Sequence, residues 1–302
     1  MSFDVVGVGI ACSDFNASVT SIPKIDENVL ILDYRKQMGG TVSTALATLQ
    51  RLGMKTKYMG MLGDDENGRF VVEGMKAEGI DVGSVRFAVG ESSPFSFVMV
   101  DGMTRKRSIA FYPGCAFTVS ADCLDNGAIQ SARLLHVDSP TPAVFAACHV
   151  AKQAGVTISL DANAPFPGLE ELLHLSNIFI TSSDVVYRIC DRNDPVEAGK
   201  ALMAEYKLDL VVVTLGVEGS IALTPTLTAT APGFNVEVVD TTGAGDVFHG
   251  AYLYGYLNGW DTEHTLRFSN AAGAMMCATQ SGWAGIPTLK QIEDFLQERA
   301  GE

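Results

Sequence analysis

Val239 Asp240 Thr241 Thr242 Gly243 Ala244 Gly245 Asp246 Val247 Phe248 His249 Gly250 Ala251 Tyr252 sets a glycine-rich turn and a carboxylate at the expected start of a helix over 244–258. Gly243 and Gly245 carry no Cβ, so successive backbone N–H groups can converge on an anion, and Ala244 between them keeps the turn narrow. The positive end of the helix favours negative charge, and Asp246 falls in its first turn. Such a turn can hold phosphate oxygens while the aspartate takes a proton from an attacking hydroxyl. The same residues also suit an aspartate that merely caps a helix beside a glycine turn.

Outward from this stretch the pattern is strand alternating with helix. Apolar runs predict strands over 5–11, 56–61, 134–137, 157–161, 178–181 and 210–214, and helical spacing predicts helices over 41–52, 70–78, 142–153, 195–206, 262–278 and 289–299. That order predicts an α/β fold, a mostly parallel sheet covered by helices, with ligands outside the carboxyl ends of the strands. Two regions break the rhythm. Residues 14–34 read as short exposed strands interrupted by Pro23, Lys24 and Asp26, and 95–112 read as a hairpin turning at Asp101 Gly102. Together they predict a small lid sheet. No GxxxxGK[ST] loop is present, and Gly7 Val8 Gly9 lacks the fuller GxGxxG pattern, which disfavours P-loop and dinucleotide-binding readings.

A chain of 302 residues, 47% hydrophobic, can bury a sizeable core. With 21 Lys and Arg against 35 Asp and Glu, the formal charge of −14 argues against a nucleic-acid surface. Met1 Ser2 Phe3 Asp4 lacks the basic region of a secretory signal, and no apolar run reaches the roughly 20 residues that span a bilayer, so a soluble cytoplasmic protein without membrane partners is expected. The six cysteines show no CxxC spacing and read as reduced packing residues; the five histidines, 136, 149, 174, 249 and 264, form no zinc spacing.

The run 240–253 resembles the C-terminal signature of the ribokinase-like (PfkB) carbohydrate kinases. Gly39 Gly40 opening a helix, Arg51 Leu52 Gly53 ending it, and Gly60 Met61 Leu62 Gly63 Asp64 Asp65 Glu66 Asn67 Gly68 resemble the N-terminal half of the same family, in the same order. Within the family, residues 239–251 together with Ala284 Gly285 Ile286 Pro287 are especially similar to sulfofructose kinase, although Asp26 Glu27 Asn28 Val29 lacks the lysine expected of that enzyme. The resemblance implies a ribokinase-like three-layer fold, a single domain over 1–302 with lid segments at about 14–36 and 90–112, and transfer of a phosphoryl group from Mg-ATP to a hydroxyl of a small carbohydrate. Asp246 would be the catalytic base, with Gly243, Ala244 and Gly245 forming the anion hole.

By the same resemblance, Asp14, Gly39, Gly40, Thr44 and Asn163 would face the acceptor, and Arg107 is placed beside them by its own position and chemistry. Thr44 stands where most relatives carry a sugar-binding asparagine, and no arginine follows Asp161 Ala162 Asn163 Ala164 Pro165 where relatives place one. Arg105, Lys106 and Arg107 are the densest basic group; one inward arginine could grip an anionic substituent, or the run could be a solvated hairpin turn. Thr214, Gly216, Gly219, Asn270, Ala274 and Gly282 would face the nucleotide. Thr181 Ser182 Ser183 Asp184 occupies the place of the family's Asn-x-x-Glu motif, so Asp184 would organise magnesium through water, or else cap the following helix. Residues 240–242 and 279–285 are the segments that bind potassium in several relatives, which leaves K+ an open expectation. A homodimer through the lid sheets is a further expectation. A nucleoside kinase using the same chemistry, or a sugar- or nucleotide-binding protein of weak catalysis, remains the alternative reading.

Overall fold

A computed structural model describes residues 2–104, 106–279 and 282–299. The strands are β1 (Val5–Val8), β2 (Cys12–Val19), β3 (Ile31–Gly39), β4 (Thr56–Met59), β5 (Met61–Gly63), β6 (Arg86–Ala88), β7 (Phe95–Asp101), β8 (Arg107–Tyr112), β9 (Leu134–Val137), β10 (Thr157–Ala162), β11 (Ile178–Ser182), β12 (Leu210–Thr214), β13 (Ser220–Leu223) and β14 (Thr228–Ala231). The helices are α1 (Thr41–Arg51), α2 (Glu66–Ala77), α3 (Asn126–Ser131), α4 (Pro142–Ala154), α5 (Leu169–Leu175), α6 (Ser183–Cys190), α7 (Pro195–Tyr206), α8 (Ala244–Leu257), α9 (Thr262–Cys277) and α10 (Leu289–Glu298).

The main sheet runs β14-β13-β12-β11-β10-β9-β1-β4. The pairs from β4 through β1, β9, β10 and β11 to β12 are parallel, and β13 and β14 extend that edge as antiparallel pairs. Its central strands are buried on both faces because helices cover each side, as their continuous apolar runs require. One face packs Val42 and Leu46 of α1, Val71 of α2, Val247 and Leu253 of α8, Leu266 of α9 and Ile292 of α10. The other packs Ile129 of α3, Val144 and Cys148 of α4, Leu172 of α5, Val186 of α6 and Leu202 of α7. This is the three-layer α/β architecture expected. Strand order reverses at β1, which has β4 on one side and β9 on the other. Such a reversal opens a crevice at the carboxyl ends of the strands.

A second sheet, β3-β2-β7-β8, rises from that crevice. The chain enters it directly from β1 through Gly9, Ile10 and Ala11. Its strands carry exposed apolar side chains at Leu32, Tyr34, Phe97, Ile109 and Phe111. Two expectations need correction. The strand expected over 56–61 breaks at Gly60: a Cβ there would lie 2.4 Å from the Tyr58 hydroxyl, which donates to the Gly9 carbonyl, and β5 leaves the main sheet to pair with β6. The helix expected over 70–78 begins earlier, at Glu66, because Asp65 caps it by accepting from Gly68 N at 2.7 Å. No helix among the described residues is long and apolar enough to cross a membrane. All six cysteines are free thiols.

Candidate active site

The helix α8 starts where the sequence places its glycine turn. Asp240 is buried and accepts from both the backbone N–H and the hydroxyl of Thr242 at 2.8 Å, which fixes the approach. Gly243 then takes a left-handed conformation, φ 77°, that glycine alone adopts cheaply, and α8 follows with Asp246 in its first turn. First-turn N–H groups have no intrahelical acceptor, so Gly245 and Asp246 present theirs to the crevice.

Asp246 shares a small cavity with Asp14, Gly39, Gly40, Thr44, Thr242, Gly243, Gly282 and Trp283. Asp14 reaches it from β2, and Gly39 on the paired strand makes room: a Cβ at Gly39 would fall 2.1 Å from Asp14 Oδ2. Gly40 holds φ 100° at the N-terminal end of α1. Burial raises the Asp14 carboxyl to about 6, against hydrogen bonds from Cys12 and Ser96 that lower it. Thr44 is buried, and its hydroxyl accepts from Trp283 Nε1 at 3.1 Å. That bond folds the segment after α9 back onto α1, and it corrects one expectation. Gly282, expected with Thr214, Gly216 and Asn270, instead lines the cavity that holds Asp14.

A neighbouring cavity of about 430 Å³ is lined by Ile10, Thr41, Phe111, Asp138, Asp161 and Asn163, among others. Asn163 is exposed there, just beyond β10. Asp138 accepts from the Ile10 N–H and the Thr41 hydroxyl. The Asp246 carboxyl is pushed up to about 8 by desolvation first, then by the charges of Asp14 and Asp138, while Arg107 pulls the other way. Arg107, on β8, spans from the second sheet to the turn before α8: its Nη1 donates to Thr241 Oγ1 at 2.7 Å and lies 3.5 Å from Thr242 Oγ1. It therefore meets the approach to the glycine turn itself. Arg105 lies outside the described residues.

On the other side of α8 a cavity of about 170 Å³ is lined by Thr214, Gly216, Val217, Gly219, Gly233, Phe234, Ala244, Gly245, Phe248, Asn270, Gly273 and Ala274. Gly216, φ 61°, and Gly245 have open space where a Cβ would stand, so the wall is bare backbone at both. Asn270 contributes shape more than polarity. Its Oδ1 accepts from Ser220 Oγ at 2.9 Å and its Nδ2 donates to the Ala231 and Pro232 carbonyls, ties that hold α9 to the β13–β14 edge.

Asp184 stands in the first turn of α6, its side chain 77% exposed, with Arg188 at 3.7 Å. It is not the cap, since Ser182 holds that position. Asp184 lines none of these three cavities. The segment expected to offer a potassium site includes Gln280 and Ser281, which lie outside the described residues.

The pfkB family carbohydrate kinase profile matches residues 2–289. The chain belongs to that family. A pfkB kinase is a phosphotransferase, so the protein is an enzyme of that class. It is 27% identical to an ATP-dependent ribose-1-phosphate kinase of Halopiger xanaduensis, over 98% of each chain. To a 5-dehydro-2-deoxygluconokinase of Geobacillus thermodenitrificans it is 28% identical, over 97% of this chain and 93% of the relative. Its fold matches that of a ribokinase II candidate from E. coli, solved in complex with ATP and Mg2+, with a TM-score of 0.88 at 24% identity, covering 99% of this chain and 100% of the other.

Within this pfkB kinase, sequence reading gave no role to Asp138 and Asp161. Both stand at carboxyl ends of parallel strands, Asp138 one residue beyond β9 and Asp161 near the end of β10. That position was the available signal.

Proposed function

We propose that the protein transfers the terminal phosphoryl group of Mg-ATP to a hydroxyl of a small carbohydrate, with Asp246 as general base. One observation carries the reading: Asp246 stands between a cavity that holds Asp14 and a glycine-walled cavity, on the amide-rich first turn of α8. Asp14, with a carboxyl at about 6, is mostly ionised at neutral pH and accepts hydrogen bonds from acceptor hydroxyls. Asp246 takes the proton of the attacking hydroxyl; within the Gly243 Ala244 Gly245 turn the Ala244 N–H is held by the Thr241 carbonyl, so the N–H groups of Gly245 and Asp246 meet the developing negative charge. Arg107 ties the second sheet to the turn and favours the ionised base. Acting as a lid, that sheet excludes water, the competing nucleophile. Asn163 and Thr44 complete the acceptor side.

The bare backbone at Gly216 and Gly245, with Thr214, Gly219 and Ala274, suits a flat base and a phosphate chain directed at α8. Asp184 is an exposed carboxylate of the kind that holds a hydrated magnesium ion through water. When bound, magnesium offsets phosphate charge. The ATP-dependent relative and the fold neighbour in complex with ATP and Mg2+ support this donor.

The outer face of the second sheet, with Tyr34 and Phe97 exposed around Phe15, supports a homodimer through the lids, which light scattering tests. Potassium dependence is read from paired assays in KCl and NaCl. The central experiment is acceptor-dependent ADP release across neutral sugars, sugar acids, sugar phosphates, sulfofructose and nucleosides. Turnover with a sugar supports the proposal; turnover confined to nucleosides replaces it with a nucleoside kinase. ATP and sugar binding without turnover makes the chain a weakly catalytic binder.

A further inference from the structure

Behind Asp246, and unused by the proposed reaction, lies a cluster that no single stretch of sequence contains. His136 comes from β9, Asp161 from β10 and His249 from α8, three residues after Asp246. Their side chains are almost fully buried, at 0%, 1% and 4% exposure respectively. One potential ligand atom from each lies within 4.8 Å of the other two. His249 Nδ1 stands 3.4 Å from an Asp161 oxygen. Yet His249 Nδ1 and both Asp161 oxygens have no hydrogen-bond partner, and His136 has only the Ser159 backbone beside its ring. The two imidazole rings are 6.2 Å apart and inclined at 61°, so they do not stack.

Buried polar atoms are ordinarily satisfied, and an unpaired buried carboxylate is especially costly. Burial first, and then the neighbouring carboxyls of Asp246 and Asp138, push the Asp161 acid well up, so nothing around it but a cation would favour its ionised form. We propose that His136, Asp161 and His249 bind one divalent transition-metal ion of the zinc class. Two imidazoles and one carboxylate are the donor set of three-ligand sites that keep one position open. Magnesium prefers oxygen ligands and retains its waters, so this site differs in kind from the one that would accompany ATP. Zinc–ligand bonds of about 2.0–2.1 Å put tetrahedral ligands roughly 3.4 Å apart, so the cluster closes by about an ångström on binding. Burial keeps both histidines neutral, with lone pairs available. Asp161 also borders the cavity of about 430 Å³, so an ion enters from that side once the buried carboxyl turns outward. A bound ion would join β9, β10 and α8 directly beneath the first turn that carries Asp246.

The test uses the full chain, free of affinity-tag histidines, stripped with chelator and then equilibrated with ZnCl2 or CoCl2 alone. Expected results are one zinc per chain surviving gel filtration, visible cobalt absorption of the tetrahedral type, and a zinc-dependent rise in Tm. His136→Asn and His249→Asn should each weaken binding by about tenfold or more, whereas His174→Asn, on the surface, and Asp184→Ala should bind as wild type. Should either histidine variant fail to fold by circular dichroism, the near-isosteric Asp161→Asn reads out the same loss. Wild-type protein that remains metal-free at micromolar zinc overturns the proposal. So does unchanged binding in folded His136→Asn, His249→Asn or Asp161→Asn protein.

Discussion

Replacing Asp246 by Asn keeps the side chain's size and removes only its basicity. With the wild-type carboxyl pushed up to about 8, roughly one molecule in ten holds the base ionised at pH 7, so kcat/KM should climb roughly tenfold from pH 7 to 9. Asp246→Asn should lose about 100-fold to 10,000-fold in kcat and should lose that rising limb as well. Stability should move the other way. A carboxyl raised from 3.8 to about 8 binds more protons folded than unfolded between those values, so unfolding free energy falls as pH rises through that window. The amide escapes this penalty. Asp246→Asn should therefore melt at or above wild type at pH 8, the difference closing towards pH 4. Coupled-assay kinetics from pH 6 to 9.5 and thermal melts across the same buffers and at pH 4 provide both readouts. Turnover within severalfold of wild type refutes the base assignment, and so does residual activity that still rises with a midpoint near 8.

Arg107→Met removes the cation that bridges β8 to Thr241, so the rising limb should move to higher pH and the acceptor KM should rise more than the ATP KM. A loss of about 10-fold to 100-fold restricted to anionic acceptors would identify a direct charge contact, and unchanged constants would leave Arg107 without a part in the reaction. Gly39→Ala drives a Cβ to within 2.1 Å of Asp14 Oδ2, so the carboxylate must shift; acceptor kcat/KM should fall by about 100-fold, and an unaltered value would separate Asp14 from the acceptor. Asp184→Ala removes an exposed side chain whose pairing with Arg188 is worth little, so Tm should hold while activity falls more at limiting than at saturating magnesium. Parallel magnesium titrations would end the metal role.

Much of the fold could be read locally. Strands over 134–137 and 210–214 and the helix over 195–206 coincide with their expected bounds, because apolar runs flanked by polar turns are properties of adjacent residues. The start of α8 was legible for the same reason, since its glycine turn and Asp246 are neighbours in the chain. The cap at Asp65 was not, because Asp64, Asp65, Glu66 and Asn67 offer several equivalent polar starts and Ser93, which donates to Asp65 from far along the chain, helps select one. That Gly282 lies beside Asp14 was not legible, because the bond between Trp283 and Thr44 that turns its segment back leaves no trace in spacing.

The histidines make the contrast sharpest. Sequence spacing gave them no metal-binding pattern, and locally that is correct. The parallel register sets His136 beside Ser159 on the neighbouring strand, and α8 lays His249 against the same sheet, so residues more than a hundred positions apart meet at Asp161. Sequence alone determined the alternation of strand and helix, the glycine turn and the types of chemical group available, because these depend on a few covalent neighbours. Tertiary structure decided which carboxylates share one cavity, where Arg107 reaches and which buried atoms go unpaired, because burial and electrostatic coupling depend on distances that only the packed sheet sets.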